Sequence, residues 1–143
     1  MIKAIELQIG DYVLVSGTPR RVESITKKKI GYHINPQTDK RLYYARLHDV
    51  EPIEITKDFL LKNGYRESKP RDYFDAYGKY SDIDVRYLIS LDMSCNILAA
   101  RFYQDDEDEN THKVGEFSMC QVFYVHTLQQ MYRLWGIEID WKL

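Results

Sequence analysis

Residues 11–34 read DYVLVSGTPRRVESITKKKIGYHI, and their pattern predicts the architecture of the first third of the chain. An apolar run at 11–16 is followed by a turn at 17–19, where Gly permits positive φ and Pro fixes φ. Residues 30–34 then alternate apolar and polar side chains, as strands do. Because no helical period interrupts this pattern, we expect short strands joined by tight turns.

The same pattern continues to residue 55. The charged residues 27–29 form a turn or an edge, and 35–40 (NPQTDK) form a loop. Pro52 limits the last strand to an edge or a bulge. The expected strands cover residues 11–16, 21–26, 30–34, 42–47 and 50–55. Five short strands in about 45 residues predict a small barrel or a curled sheet over residues 1–55.

In the second part of the chain, residues 56–143, the spacing of the apolar residues changes. Thr56 can cap a short helix over 57–63, and Gly64 is a suitable residue after its end. Residues 67–72 contain a Pro and are the best linker candidate. Strands of an antiparallel sheet are expected at residues 73–77, 83–91, 97–103 and 114–117.

The last expected element is a helix over 124–135 that ends at Gly136. Its apolar residues recur with helical spacing and form a wide face. We therefore expect this helix to cover the second sheet. Residues 137–141 alternate and predict either a closing strand or an ordered tail.

Two stretches carry a resemblance. ELQIGDYVLVSGTPRRVESI (6–25) with RLHDVEPIEI (46–55) resembles the SH3-like barrels of translation, transcription and phage proteins. VEPIEITKDFLLKNGY (50–65) with YVHTLQQMYRLWG (124–136) resembles uncharacterised small proteins of gut bacteria, their prophages and mobile elements. The resemblance implies an α+β fold, with an N-terminal SH3-like β-barrel followed by an antiparallel sheet packed by a C-terminal helix. It implies a mobile-element origin and no established activity.

Composition excludes several classes of protein. Apolar residues make up 44% and charged residues 29% of the 143 residues, and the net charge is −2, whereas disordered chains combine few apolar residues with high charge. No apolar run reaches the ~20 residues of a membrane helix. The N-terminus lacks a secretory signal pattern, so we expect a cytoplasmic protein with no membrane partner. Cys95 and Cys120 have no CxxC spacing, which favours reduced thiols.

The two parts of the chain differ in net charge. Residues 1–55 hold nine Lys and Arg against seven acids, and residues 56–143 hold eleven against fifteen. Basic side chains on the turns of the first part, with tyrosines nearby, suggest cations on phosphates and rings on bases. The alternative is that lysines at strand ends block sheet-to-sheet aggregation. The candidate residues for binding a nucleic acid or another partner are Arg20, Arg21, Lys27, Lys28, Lys29, Arg41 and Tyr43.

No catalytic motif stands out. The four histidines, His33, His48, His112 and His126, lack metal-ligand spacing, and the sequence contains no nucleophile elbow, P-loop or GxGxxG. The acidic run 105–110 (DDEDEN) partly matches a calcium loop but lacks Gly at the sixth position, so a solvated hairpin loop is the favoured interpretation. We expect no catalytic residue, no metal and no cofactor.

These observations predict a non-catalytic binding or adaptor protein that acts through the N-terminal barrel. Its partner is either a nucleic acid or a protein. The alternative is a phage structural or assembly protein that associates with itself or with other proteins only, using tyrosine-rich sheet faces and Trp135 and Trp141 as interface anchors.

Overall fold

The computed structural model describes residues 2–68, 72–80, 85–105 and 111–143. The chain divides into two compact units. The first contains the residues up to Ile55 together with Tyr124–Ile139, and the second contains Thr56–Phe123 together with Asp140–Leu143. Strands dominate both, and two α-helices accompany them, so the predicted α+β class is confirmed.

The first unit consists of two three-stranded antiparallel sheets. Its strands are β1 (Tyr12–Val15), β2 (Thr18–Arg21), β3 (Ser24–Ile25), β4 (Lys29–Tyr32), β5 (Tyr43–Arg46) and β6 (Val50–Glu51). The sheet orders are β2-β1-β6 and β3-β4-β5. A 3₁₀ helix at Ala4–Glu6 precedes β1, and a second at Leu47–Asp49 precedes β6.

Both small sheets contribute to one hydrophobic core. Val13, Val15 and Val50 come from the first sheet, and Ile30 and Ala45 come from the second. These side chains are buried because the alternation of each strand points them to the same side. No strand pairing closes the sheets into a barrel within the described residues of this unit. The structure therefore establishes two three-stranded sheets around a shared core.

The first turn lies earlier than the sequence predicts. Ser16 and Gly17 have positive φ angles of 50° and 73°, and Val15 pairs with Thr18. A two-residue hairpin favours this backbone because its twist matches that of the flanking strands. Thr18 and Pro19 were expected in the turn but belong to β2.

The second unit is built on a five-stranded antiparallel sheet. A short helix α1 (Lys57–Lys62) precedes its strands, and Thr56 Oγ1 accepts the Phe59 N–H at 3.1 Å, as predicted for the cap. The strands are β7 (Arg66–Ser68), β8 (Tyr73–Lys79), β9 (Val85–Asp92), β10 (Ile97–Asp105) and β11 (Thr111–Met119). They lie in the order β11-β10-β9-β8-β7.

Two boundaries in this unit differ from the prediction. The linker expected at 67–72 is wrong at its start, because Glu67 and Ser68 pair with β8 as part of β7. The strand expected at 114–117 extends over Thr111–Met119, because β10 offers a partner along its whole length. The acidic run is described only at Asp105, and residues 106–110 lie outside the described part of the chain.

The C-terminal helix α2 (Val125–Leu134) belongs to the first unit. The expectation that it covers the antiparallel sheet of residues 56–143 is therefore wrong. Gln129 Oε1 accepts the Tyr12 N–H at 2.9 Å, and the Val125 N–H donates to the Ile53 carbonyl at 2.9 Å. The side chains of Val125, Leu128 and Tyr132 are buried in this unit. The polar residue Gln129 adds a hydrogen bond to β1 that apolar periodicity alone does not reveal.

The segment after α2 is an ordered tail rather than a strand. The Ile137 side chain is buried, and its N–H donates to the Tyr132 carbonyl at 2.9 Å. The end of the tail belongs to the second unit, where the Trp141 ring stacks on Phe59 at 5.8 Å between centroids.

Cys95 and Cys120 are both free and exposed.

Candidate basic surface on the first unit

The hairpin between β3 and β4 carries the three predicted lysines. Thr26 organises its turn: the Thr26 N–H donates to the Lys29 carbonyl at 2.9 Å, and Thr26 Oγ1 accepts the Lys29 N–H at 3.2 Å. The Leu47 N–H donates to the Lys28 carbonyl at 3.0 Å, which ties the turn to the second 3₁₀ helix. This backbone leaves Lys27, Lys28 and Lys29 exposed.

These lysines line an open cavity of about 760 Å³, which we call the basic cavity. Topology brings further basic residues to it. Lys29 pairs with Arg46 across the β4–β5 ladder, Arg46 leads directly into the second 3₁₀ helix with His48, and Lys3 precedes the first 3₁₀ helix. The full lining is Ile2, Lys3, Ala4, Lys27, Lys28, Lys29, Arg46, Leu47 and His48.

The Lys and Arg charges of the basic cavity have no neutralising ion pair within the described part of the chain. Its lining includes no carboxylate, and none of its five Lys and Arg side chains has an ion pair among the described residues. His48 Nε2 lies 3.2 Å from Asp49 Oδ1. Like charges that line one cavity repel each other unless a counter-ion or an anionic ligand lies between them. The cavity is therefore suited to an anion with several charged groups.

Arg20 and Tyr43 lie at the other end of the same ladder. Tyr32 pairs with Tyr43 there, with ring centroids 6.2 Å apart, and the Arg20 guanidinium lies 5.6 Å from the Tyr32 ring centroid. Arg20 also donates to the Ile34 carbonyl at 3.1 Å. Arg20 and Tyr43 thus both contact Tyr32, and neither lines the basic cavity with the lysines.

Tyr43 is engaged in the fold through its hydroxyl. It donates to Asp39 Oδ2 at 2.9 Å, which raises the pKa of Tyr43. The pKa of Asp39 is lowered, first by the Arg41 N–H and then by Tyr43. The Arg41 carbonyl accepts from His33 Nδ1 at 2.7 Å. Asp39, Arg41 and Tyr43 therefore fix the loop that precedes β5.

Arg21 stands apart from both groups. Its guanidinium pairs with the carboxylate of Glu23 at 3.1 Å. Of the seven candidates, the structure places only the three lysines at the basic cavity. The sequence reasoning missed Lys3, Arg46 and His48. The only signal for Arg46 was its position in a strand that could pair with residue 29, and no local pattern links Lys3 to the hairpin.

A smaller cavity of about 330 Å³ lies beside α2 in the same unit, lined in part by Glu6, Tyr124 and His126. His126 is buried and stacks on the Tyr124 ring at 5.7 Å. Its Nδ1 atom is buried and has no hydrogen-bond partner among the described residues. Burial lowers the pKa of His126, although the charges of Asp11 and Glu6 oppose this effect.

This burial makes stability depend on pH. Because the folded pKa lies below the unfolded value near 6.5, the unfolded state binds more protons as pH falls through that value. The contribution of His126 to the free energy of unfolding should therefore be complete above pH ~6.5, and the free energy of unfolding should decrease below that pH. His126→Gln should reduce this decrease, as measured by urea titrations from pH ~8 to ~5. His112→Gln is the control, because His112 is exposed, and an unchanged pH profile for His126→Gln would contradict the prediction.

Comparison with protein families, curated proteins and solved structures finds no match to this chain. Within the described residues, no helix has the length and apolar character needed to cross a membrane. The described part of the chain also contains no group of three or more His, Cys, Asp and Glu residues that could hold a metal ion.

Proposed function

We propose that the protein is a non-catalytic binding module whose first unit binds the phosphate backbone of a nucleic acid at the basic cavity. The observation that carries this proposal is the group of five Lys and Arg side chains that line one open cavity, with no Asp or Glu among its described lining residues. Residues 1–55 have a net charge of +2 within a chain of net charge −2, so the positive field is local. Phosphates that contact such cations release counter-ions, which favours binding at low salt.

We further propose that the first unit is a variant of the SH3-like barrel. The order β2-β1-β6 and β3-β4-β5, with the chain passing from β2 to β3 between the two sheets, supports this proposal. The 3₁₀ helix immediately before β6 also supports it. The origin in prophages or mobile elements stays a prediction from the resemblance.

Fluorescence anisotropy with a labelled oligonucleotide tests the binding function. If all five cations contact phosphate, log Kobs should fall with log salt with a slope of about −3.5 for a single strand. Lys27→Ala/Lys28→Ala should lower the slope by about 1.4 and weaken binding at ~50 mM salt by about tenfold to a hundredfold. The matched control is Lys40→Ala/Lys62→Ala, which removes two exposed lysines outside the cavity.

The outcomes separate the candidate functions. Equal losses in the two double variants would show that binding reflects overall charge, and would overturn the assignment to this cavity. No salt-sensitive binding of any oligonucleotide would overturn the proposed function. Concentration-dependent sedimentation of the same preparation would then favour the alternative of a self-associating assembly protein.

A further inference from the structure

The outward face of the β4–β5 ladder carries one aromatic side chain next to a pair of cations. Ile30 and Ala45 are opposite each other and buried, so they mark the inward face. Since strand residues alternate between faces, Lys29, Tyr44 and Arg46 share the outward face. Lys29 and Arg46 also line the basic cavity, and Tyr44 therefore continues that surface along the sheet.

The Tyr44 ring contributes little to the core. The residue is 54% exposed, and the Lys29 ammonium lies 4.2 Å from the centroid of its ring. Among the described residues, its hydroxyl has no hydrogen-bond partner. The neighbouring Tyr43 differs in both respects, since it is half-buried and donates to Asp39. More than half of Tyr44 thus stays accessible while a cation holds the ring in place.

An exposed ring beside phosphate-binding cations is suited to a nucleobase. Bases stack on aromatic side chains in single-strand binding proteins, where cations bind the backbone. A paired base inside a duplex cannot offer its face in this way, because its neighbours already cover it. We infer that Tyr44 is a base-stacking platform and that the ligand of the basic cavity is single-stranded nucleic acid; this inference rests on the proposed function.

A comparison of ligands with and without bases tests the inference. The two probes are a thymidine oligonucleotide and an abasic oligonucleotide of the same length, which have the same phosphates. The thymidine strand should bind about fivefold to a hundredfold more tightly. Tyr44→Leu should abolish this difference, and Tyr44→Phe should preserve it. Tyr77→Leu is the matched control, because Tyr77 is a 66% exposed tyrosine of the second unit.

The result distinguishes failure of this inference from failure of the proposed function. Equal binding of the two strands, weakened by Lys27→Ala/Lys28→Ala, would overturn the stacking role and leave phosphate binding intact. A preference for a duplex over either single strand would also overturn the stacking role. No binding of either strand would overturn both. If Tyr77→Leu lost the difference in affinity between the thymidine strand and the abasic strand, the stacking would be assigned to another surface.

Discussion

Asp11→Ala should lower the free energy of unfolding by about 3 kcal/mol, because it removes a buried, charged acceptor of three hydrogen bonds and leaves their donors unsatisfied. The Asp11 carboxylate is fully buried, and Arg133 of α2 donates to it at 2.6 Å. Gln130 of the same helix donates to its other oxygen at 2.7 Å, and the Gln8 N–H does so at 2.8 Å. This carboxylate therefore fastens α2 to the N-terminal segment of the first unit.

Urea denaturation measures this loss, and Glu23→Ala is the matched control. Glu23 also pairs with an arginine, Arg21, at 3.1 Å, but that pair is partly exposed. Exposed ion pairs contribute less than about 1 kcal/mol, so the control should change stability little. Similar losses in Asp11→Ala and Glu23→Ala would contradict the role given to the buried carboxylate.

Phe74→Ala should destabilise the second unit by about 4 kcal/mol, because it leaves a cavity in the centre of the sheet. Phe74 is 2% exposed and lies opposite Leu91 of β9, which in turn lies opposite Leu98 of β10. Both leucines are fully buried, so the surrounding structure has little freedom to fill the space.

The control for Phe74→Ala lies on the same strand. Tyr77 is 66% exposed and points to the opposite face of β8, so Tyr77→Ala should cost less than about 1 kcal/mol. Thermal denaturation followed by far-UV circular dichroism compares the two variants. A loss in Tyr77→Ala equal to that in Phe74→Ala would mean that the outward face, rather than the buried row, holds the sheet together.

The helices and strands were predictable wherever the signal lay within a few neighbouring residues of the sequence. Thr56 caps α1 as expected, because the cap needs only a hydroxyl and the next few residues. The docking of α2 was not predictable. Gln129 and Arg133 lie on what the periodicity identifies as a polar face, yet they bond to Tyr12 and Asp11 more than a hundred residues earlier. Hydrogen bonds between distant polar residues cannot be predicted from the spacing of apolar residues.

The same limit applies to the candidate site. Lys27, Lys28 and Lys29 were predicted because they are adjacent in sequence and lie on a turn. Arg46 joins them only through the register of β4 with β5, which the loop between the strands does not fix. Tyr43 and Tyr44 are neighbours in sequence, but alternation leaves the first half-buried and the second exposed. The register had to be known before the exposed ring could be identified.

The first unit is interrupted in sequence by the second, and this order constrains how the chain folds during synthesis. The ribosome completes residues up to Ile55 long before it makes α2. Until α2 emerges, Asp11 has neither Arg133 nor Gln130 to bind, and its carboxylate must stay hydrated. Residues Thr56–Phe123, which make up most of the second unit, can meanwhile fold as one contiguous segment. We therefore expect the nascent N-terminal segment to acquire its final stability last, although it is translated first.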